Sequence, residues 1–175
     1  MGKYQLFICK ICGDPYLGTD APSRCPFCGA HSENMVPGEN WKALWGKPIG
    51  EKSKKHLEEA LQIEVSNTNF YRNVSKNSEE KMFQKEFRAL MKIEKEHAEI
   101  MVKLLGAEMP DFEEMELEED KSRATLEENL AESHKRETRA INAYKMMAVE
   151  SENEEIKYFF RELIKIESDH LSLSE

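Results

Sequence analysis

Two eleven-residue stretches, Phe87 to His97 (FRALMKIEKEH) and Phe160 to His170 (FRELIKIESDH), agree at seven of eleven positions and stand 73 residues apart. The same offset carries Glu64 onto Glu137, Tyr71 onto Tyr144 and Ser78 onto Ser151, so the repeated unit is a whole helix pair rather than a short motif. A chain built from two such pairs is drawn toward a four-helix bundle, because each pair must bury its apolar face against the other.

The repeat also carries metal-ligand chemistry. Glu94 and His97, like Glu167 and His170, are three residues apart, which on an α-helix puts both side chains on one face. That face reads Phe83, Phe87, Leu90, Glu94, His97, Met101, Leu104 in the first copy and Ile156, Phe160, Leu163, Glu167, His170 in the second. A carboxylate in the middle of such a stripe is costly to bury unless its charge is met inside the bundle, and a pair of divalent cations would meet it. Glu64 shares a helical face with Leu57, Ala60, Leu61, Thr68 and Tyr71, and Glu137 shares one with Leu130, Ile141 and Tyr144. Four helices then supply Glu, Glu-x-x-His, Glu, Glu-x-x-His, the di-metal carboxylate set of ferritin-like bundles. Four carboxylates balance two divalent ions, and oxygen ligands with imidazole suit iron or manganese, although affinity order alone leaves zinc open.

A solitary Glu-x-x-His in a chain that is 34% charged reads as solvated surface; two copies in register with two further glutamates do not. Glu132 lies on the third helix as well, and only the offset selects Glu137 over it. Tyr71 and Tyr144 follow their glutamates by seven residues, placed either to hydrogen-bond carboxylates of neighbouring helices or to fill the core with incidental partners. His31, His56 and His134 have no repeat partner and read as ordinary, and Met91, Met101, Met146 and Met147 read as core filler.

All four cysteines lie near the start as Cys9-x-x-Cys12 and Cys25-x-x-Cys28, the spacing of one tetrahedral thiolate site. Gly13 and Gly29 directly follow the two pairs and allow tight turns whose N–H groups point at sulfur. So short a module cannot bury an adequate core, and its metal must supply much of the folding free energy. Four thiolates alone do not separate iron from zinc. Disulfides are the competing reading, disfavoured because the start MGKYQLFICK has no apolar signal segment.

The expected organisation is a cysteine module at 1–38, a linker at 39–50 and a four-helix bundle at 51–175, with Trp41 and Trp45 as docking residues in the linker. Helix one is expected from Glu51 to Val74 and helix two from Glu79 to Leu105, with Asn77 or Ser78 as its N-cap and Gly106 as its stop. Residues 106 to 121, with Pro110 and the acidic run EEMELEED, suit the long crossover between second and third helices, as a solvated loop or as a docking surface for an electron donor. Thr125-x-x-Glu128 reads as a capping box at the start of helix three, and Ser151-x-x-Glu154 as one opening helix four. A net charge of −9 argues against nucleic acid, no apolar run approaches a membrane span, and a cytoplasmic location keeps the thiolates reduced.

Taken together, CxxCGxxYxGTxAPxxCPxCG (Cys9 to Gly29) and the duplicated carboxylate bundle resemble the rubrerythrins, and the cysteine segment resembles a rubredoxin-type Fe(Cys)4 module, with Tyr16, Gly18, Thr19, Ala21, Pro22 and Pro26 where that family places them. The module precedes the bundle, the order of the group called reverse rubrerythrins. The resemblance implies a mainly α fold, di-iron ligands Glu64, Glu94, His97, Glu137, Glu167 and His170, and one further iron on Cys9, Cys12, Cys25 and Cys28. It implies a peroxidase that reduces hydrogen peroxide to water, with electrons from a flavoprotein or other reductase, in a homodimer where the relay of one subunit serves its partner. Many members carry an extra carboxylate three residues after the third-helix glutamate, where this chain has Ala140. That departure opens a second reading, an iron-handling ferroxidase using oxygen or peroxide; a third is a non-catalytic interaction protein holding zinc.

Overall fold

The computed structural model describes residues 3–173. Three short antiparallel strands, β1 (Gln5–Cys9), β2 (Pro15–Gly18) and β3 (Met35–Pro37), form a sheet in the order β2-β1-β3, with Ile8 facing Pro15 and Cys9 facing Met35. Each Cys-x-x-Cys-Gly turn closes in the same way. Gly13 N–H donates to the Cys9 carbonyl at 2.9 Å and Gly29 N–H to the Cys25 carbonyl at 3.0 Å, both glycines at positive φ, 84° and 77°. Those are left-handed conformations in which a Cβ is penalised.

Four long helices follow: α1 (Glu51–Asn77), α2 (Lys81–Leu105), α3 (Leu126–Glu150) and α4 (Glu154–Leu173). Helices α1 and α2 pack together, as do α3 and α4, and α1 lies against α3 across the middle of the bundle. Thr125 caps α3 as expected, its hydroxyl accepting from Glu128 N–H at 3.2 Å while the Glu128 carboxylate accepts from Thr125 N–H at 3.0 Å. Gly106 ends α2 in the left-handed conformation, φ 62°, with Ala107 N–H returning to the Val102 carbonyl.

Two expected caps are corrected. Helix α1 runs three residues past Val74, so Asn77 lies inside it and Ser78 ends it, its hydroxyl donating back to the Val74 carbonyl at 2.7 Å; α2 is opened by Glu80. Ser151 likewise ends α3 instead of opening α4, and its hydroxyl lies 2.9 Å from His56 Nδ1. Both serines therefore keep their repeat equivalence, as terminators of the first helix of each pair.

The long connection from α2 to α3 is pinned to the bundle rather than simply solvated. Asp120 is fully buried, accepts from Ser66 Oγ at 2.5 Å and pairs with Arg136 at 3.3 Å, while Arg72 pairs with Glu116 at 2.7 Å. Most of the acidic run is nonetheless exposed, Glu113, Glu114, Glu118 and Glu119 among it, and Asp120 is its buried anchor. Met101 and Met147 are core residues and Met91 packs at its edge, but Met146 is exposed.

The cysteine module sits on the bundle, and one continuous apolar core runs from Ile11, Ala30 and Met35 into Ile100, Met101, Phe160 and Ile166. Trp41 donates from Nε1 to the Cys9 carbonyl at 3.1 Å, and Trp45 packs over Gly13 beneath the Lys103 ammonium. On the α4 side, Asp169 receives Arg24 at 2.9 Å and lies 3.0 Å from His31 Nε2, and Glu162 accepts from His31 N–H at 2.8 Å. Gly29 approaches α4 so closely that a Cβ there would stand 3.1 Å from Ile166. Among the described residues, no helix is long and apolar enough to cross a membrane.

Candidate metal centres

The two Cys-x-x-Cys turns face each other and bring four buried sulfurs into one cluster, with Cys9 Sγ 3.7 Å from Cys28 Sγ and Cys12 Sγ 3.7 Å from Cys25 Sγ. No disulfide links them. Asp14 N–H points at Cys12 Sγ at 3.4 Å, a contact that favours the thiolate. Four sulfurs within bonding reach of one centre fit a single tetrahedral ion.

Within the bundle, Glu64, Glu94, His97, Glu137, Glu167 and His170 converge from four helices, each at most 5% exposed. They form two overlapping sets, Glu64–Glu94–His97–Glu167 and Glu94–Glu137–Glu167–His170. Glu94 and Glu167 belong to both. Each offers one oxygen to each histidine: His97 Nδ1 lies 3.7 Å from Glu94 Oε2 and 3.2 Å from Glu167 Oε1, while His170 Nδ1 lies 3.0 Å from Glu94 Oε1 and 2.9 Å from Glu167 Oε2. Glu94 and Glu167 would thus be available to two ions at once, and Glu64 and Glu137 each to one. The imidazole rings stand nearly parallel, centroids 6.3 Å apart.

Hydrogen bonding tests whether these residues fit a pair of ions. Tyr144 Oη donates to Glu64 Oε1 at 2.5 Å, and Tyr71 Oη donates to Glu137 Oε1, so each terminal glutamate has one oxygen held by a tyrosine from the facing helix. The other oxygens, Glu64 Oε2 and Glu137 Oε2, have no hydrogen-bond partner although fully buried, and the same holds for both oxygens of Glu94, for Glu167 Oε1 and for His97 Nδ1. Buried polar atoms are rarely left so, and the orphaned atoms are carboxylate oxygens and an imidazole nitrogen, donors that would suit cations. Donors and charge fit two divalent ions.

Electrostatics gives the same picture. Burial, and next the charges of Glu94 and Glu167, push Glu64 and Glu137 well above the usual carboxylate range. Burial also acts on Glu94 and Glu167, but the histidines outweigh it and hold both below that range. Burial would lower His97 and His170, yet the surrounding carboxylates raise both well above the ordinary imidazole value. Burial, then the adjoining carboxylate, raises Tyr71 and Tyr144. The ring of groups therefore holds protons that an incoming cation must displace.

His97 joins the two regions. Its Nε2 lies 2.9 Å from the carbonyl oxygen of Cys28 in the same chain. A carbonyl only accepts, so Nε2 carries a proton, and Nδ1 is the nitrogen that faces the carboxylates and could ligate a cation once its own proton is displaced.

Glu132, the rival of Glu137, instead pairs with Arg136 at 3.0 Å and Arg123 at 3.3 Å on the flank of the bundle. Ser133, which the sequence reading passed over, lies 2.9 Å from Tyr71 Oη and donates to it, since the tyrosine proton is committed to Glu137. Its position one helical turn before Glu137 was the available signal. The Cys28–His97 contact had none, because it depends on how the module docks.

Comparison with known proteins agrees with this geometry. The Rubrerythrin family model matches residues 55–174, which contain all six converging carboxylate and histidine residues. Reverse rubrerythrin-1 of Clostridium acetobutylicum is 29% identical over 111 residues, covering 57% of this chain and 61% of that protein. The aligned part of the chain thus spans about 61% of the curated relative's length. No solved structure matches the chain. A family match over most of the chain, on top of four clustered cysteines and a duplicated carboxylate–histidine site, places the chain in the rubrerythrin family, a family of iron proteins.

Proposed function

We propose that the protein is a non-haem di-iron peroxidase that reduces hydrogen peroxide to water, with electrons passed one at a time through its four-cysteine iron site. The observation that carries this reading is the hydrogen bond from His97 to the Cys28 carbonyl, which puts a ligand of one centre against the backbone of a ligand of the other. A centre holding two ions can give up two electrons together, the number that hydrogen peroxide takes up with two protons to form two waters, whereas a four-thiolate ion transfers one at a time. Around that chemistry the residues have separate tasks. Glu94 and Glu167 hold the two positions together, Tyr144 and Tyr71 orient Glu64 and Glu137, and the sealed thiolate shell leaves no open position for substrate.

Because the contact lies within one chain, it supports electron transfer in cis, and a homodimer is not needed to complete the path. A flavoprotein or another reductase would reduce the cysteine site, and a cytoplasmic location suits its reduced thiolates. A ferroxidase, or iron-handling, reading is favoured by one observation: buried Ala140 supplies no seventh carboxylate, so the six-ligand set is two-fold symmetric.

Chemistry and supply separate in a Cys28→Ser variant that keeps its bundle ions. After chemical pre-reduction the bundle should oxidise in a single fast turnover with peroxide, while reductase-driven cycling should fail; Glu167→Ala should lose both. Full reductase-driven cycling in Cys28→Ser would remove the relay role and favour iron handling. A visible spectrum of anaerobically prepared protein separates both readings from a zinc protein, since ferric thiolate is coloured and zinc is not.

A further inference from the structure

We propose that Asn67 and Thr68 form the inner wall of a binding position for a small oxygen ligand, peroxide or the water it yields, lying between α1 and α3 beside the carboxylate centre and reached through the groove between those helices. The inference rests on the six-residue metal centre described above.

Both side chains are more than nine-tenths buried, at 3% and 4% exposure, and Asn67 Nδ2 and Thr68 Oγ1 have no hydrogen-bond partner. A helical threonine ordinarily satisfies its hydroxyl on the carbonyl one turn back; Thr68 does not. Thr68 lies one turn after Glu64 and three residues before Tyr71, on the face both use to reach the centre. The Tyr71–Glu137 and Glu64–Tyr144 contacts set an antiparallel register between α1 and α3. Three residues back from Tyr71 is Thr68, and three on from Glu137 is Ala140, so in that register the hydroxyl faces a methyl group too short and too apolar to satisfy it.

The repeat shows that this polarity is not needed for packing. At the offset of 73, Asn67 falls on Ala140 and Thr68 on Ile141, so the second copy fills the same two places with apolar side chains. Polar groups therefore stand on one side of an otherwise duplicated centre. Buried hydrogen-bond donors without a partner, one turn from Glu64, suit an oxygen ligand whose lone pairs can accept from them. A groove between α1 and α3 opens on the same side; its wall includes Ile63, Ala143 and Met146 beside the charged Arg136 and Arg139, and it reaches Asn67, next in sequence to Thr68.

Azide, a small anion with lone pairs at its ends, serves as the probe. Iron-loaded wild-type protein and the variants Asn67→Leu, Thr68→Val and Thr68→Ser are titrated with azide by absorption, with bundle metal counted in parallel. Affinity should weaken about tenfold in Asn67→Leu and in Thr68→Val, the size of one hydrogen bond to a charged group, and return in Thr68→Ser. Two bundle ions with unchanged azide affinity in Asn67→Leu and Thr68→Val overturn the proposal, and so does a loss that Thr68→Ser shares, since that assigns a packing role. Fewer than two bundle ions in the wild type overturns the metal reading itself, which the count reveals separately. Should the buried variants not fold, Ala143→Phe in the groove wall decides: it should slow azide binding about tenfold by narrowing access while leaving metal content unchanged, and an unchanged rate overturns the route.

Discussion

The four sulfurs of the cysteine site are gathered by two local turns, each closed within five residues by a left-handed glycine, whereas the six carboxylate and imidazole groups of the bundle come from four helices and meet only when the whole bundle is packed. The difference extends to satisfaction. The thiolate site receives a backbone N–H and has its sulfurs in mutual contact, while six buried polar atoms of the bundle centre have no hydrogen-bond partner. A locally built, closed shell suits a group that only changes charge; a centre with oxygens shared between two positions suits one that must also receive a substrate.

The largest expected effect lies at the shared carboxylates. Replacing Glu167 with alanine removes an oxygen from both metal sets, so both bundle ions should be lost, whereas Glu137→Ala touches one set and should cost one ion, and Glu132→Ala none. The cysteine site should keep its ion throughout. Metal analysis per chain checks all three, and equal losses for Glu132→Ala and Glu137→Ala would mean that the second terminal ligand is misassigned.

Protons bound at the same centre come next. Without cations, the raised folded-state values of Glu64, Glu137, His97 and His170 stabilise the bundle at low pH; that contribution declines above 4.5 for the glutamates and above 6.5 for the histidines. Cations must displace the same protons, so bundle metal affinity should rise with pH across that range. Calorimetric titration at several pH values should detect proton release on binding, and a pH-independent affinity would contradict the account.

A smaller effect is expected at the tyrosines. Tyr144→Phe releases one oxygen of Glu64 without removing a ligand, and should weaken metal binding about tenfold while preserving stoichiometry. Tyr71→Phe should do the same on the other side and also strand the Ser133 hydroxyl. Metal-competition titration against a chelator of known affinity measures both; unchanged affinity would reduce the tyrosines to core residues.

How much of this could be read from the chain depends on whether the signal was local. The offset of 73 exposed the six converging residues, because a duplicated helix pair preserves the face that each ligand occupies. Cys-x-x-Cys-Gly likewise encodes its own turn. Thr125 and Glu128 announced the start of α3, but Ser78 and Ser151 misled, because a serine followed three residues later by a polar or acidic residue also serves to end the preceding helix when its hydroxyl finds a carbonyl or histidine there. The burial of Asp120 within an acidic run was hidden for a related reason, since its partner Arg136 lies on a different helix. The meeting of His97 with Cys28 lay furthest out of reach, because it follows from how the module seats on α2 and α4.

Electron transfer across that contact can be measured directly. Fully reduced protein mixed with peroxide in a stopped-flow instrument, monitored at the ferric–thiolate absorption, should show the cysteine iron oxidised in a first-order step whose rate constant stays the same when protein concentration is changed tenfold, including at dilutions where only monomer is present. A rate constant that rises in proportion to protein concentration, or a cysteine site that stays reduced while the bundle consumes peroxide, would contradict transfer through His97 and Cys28 within one chain.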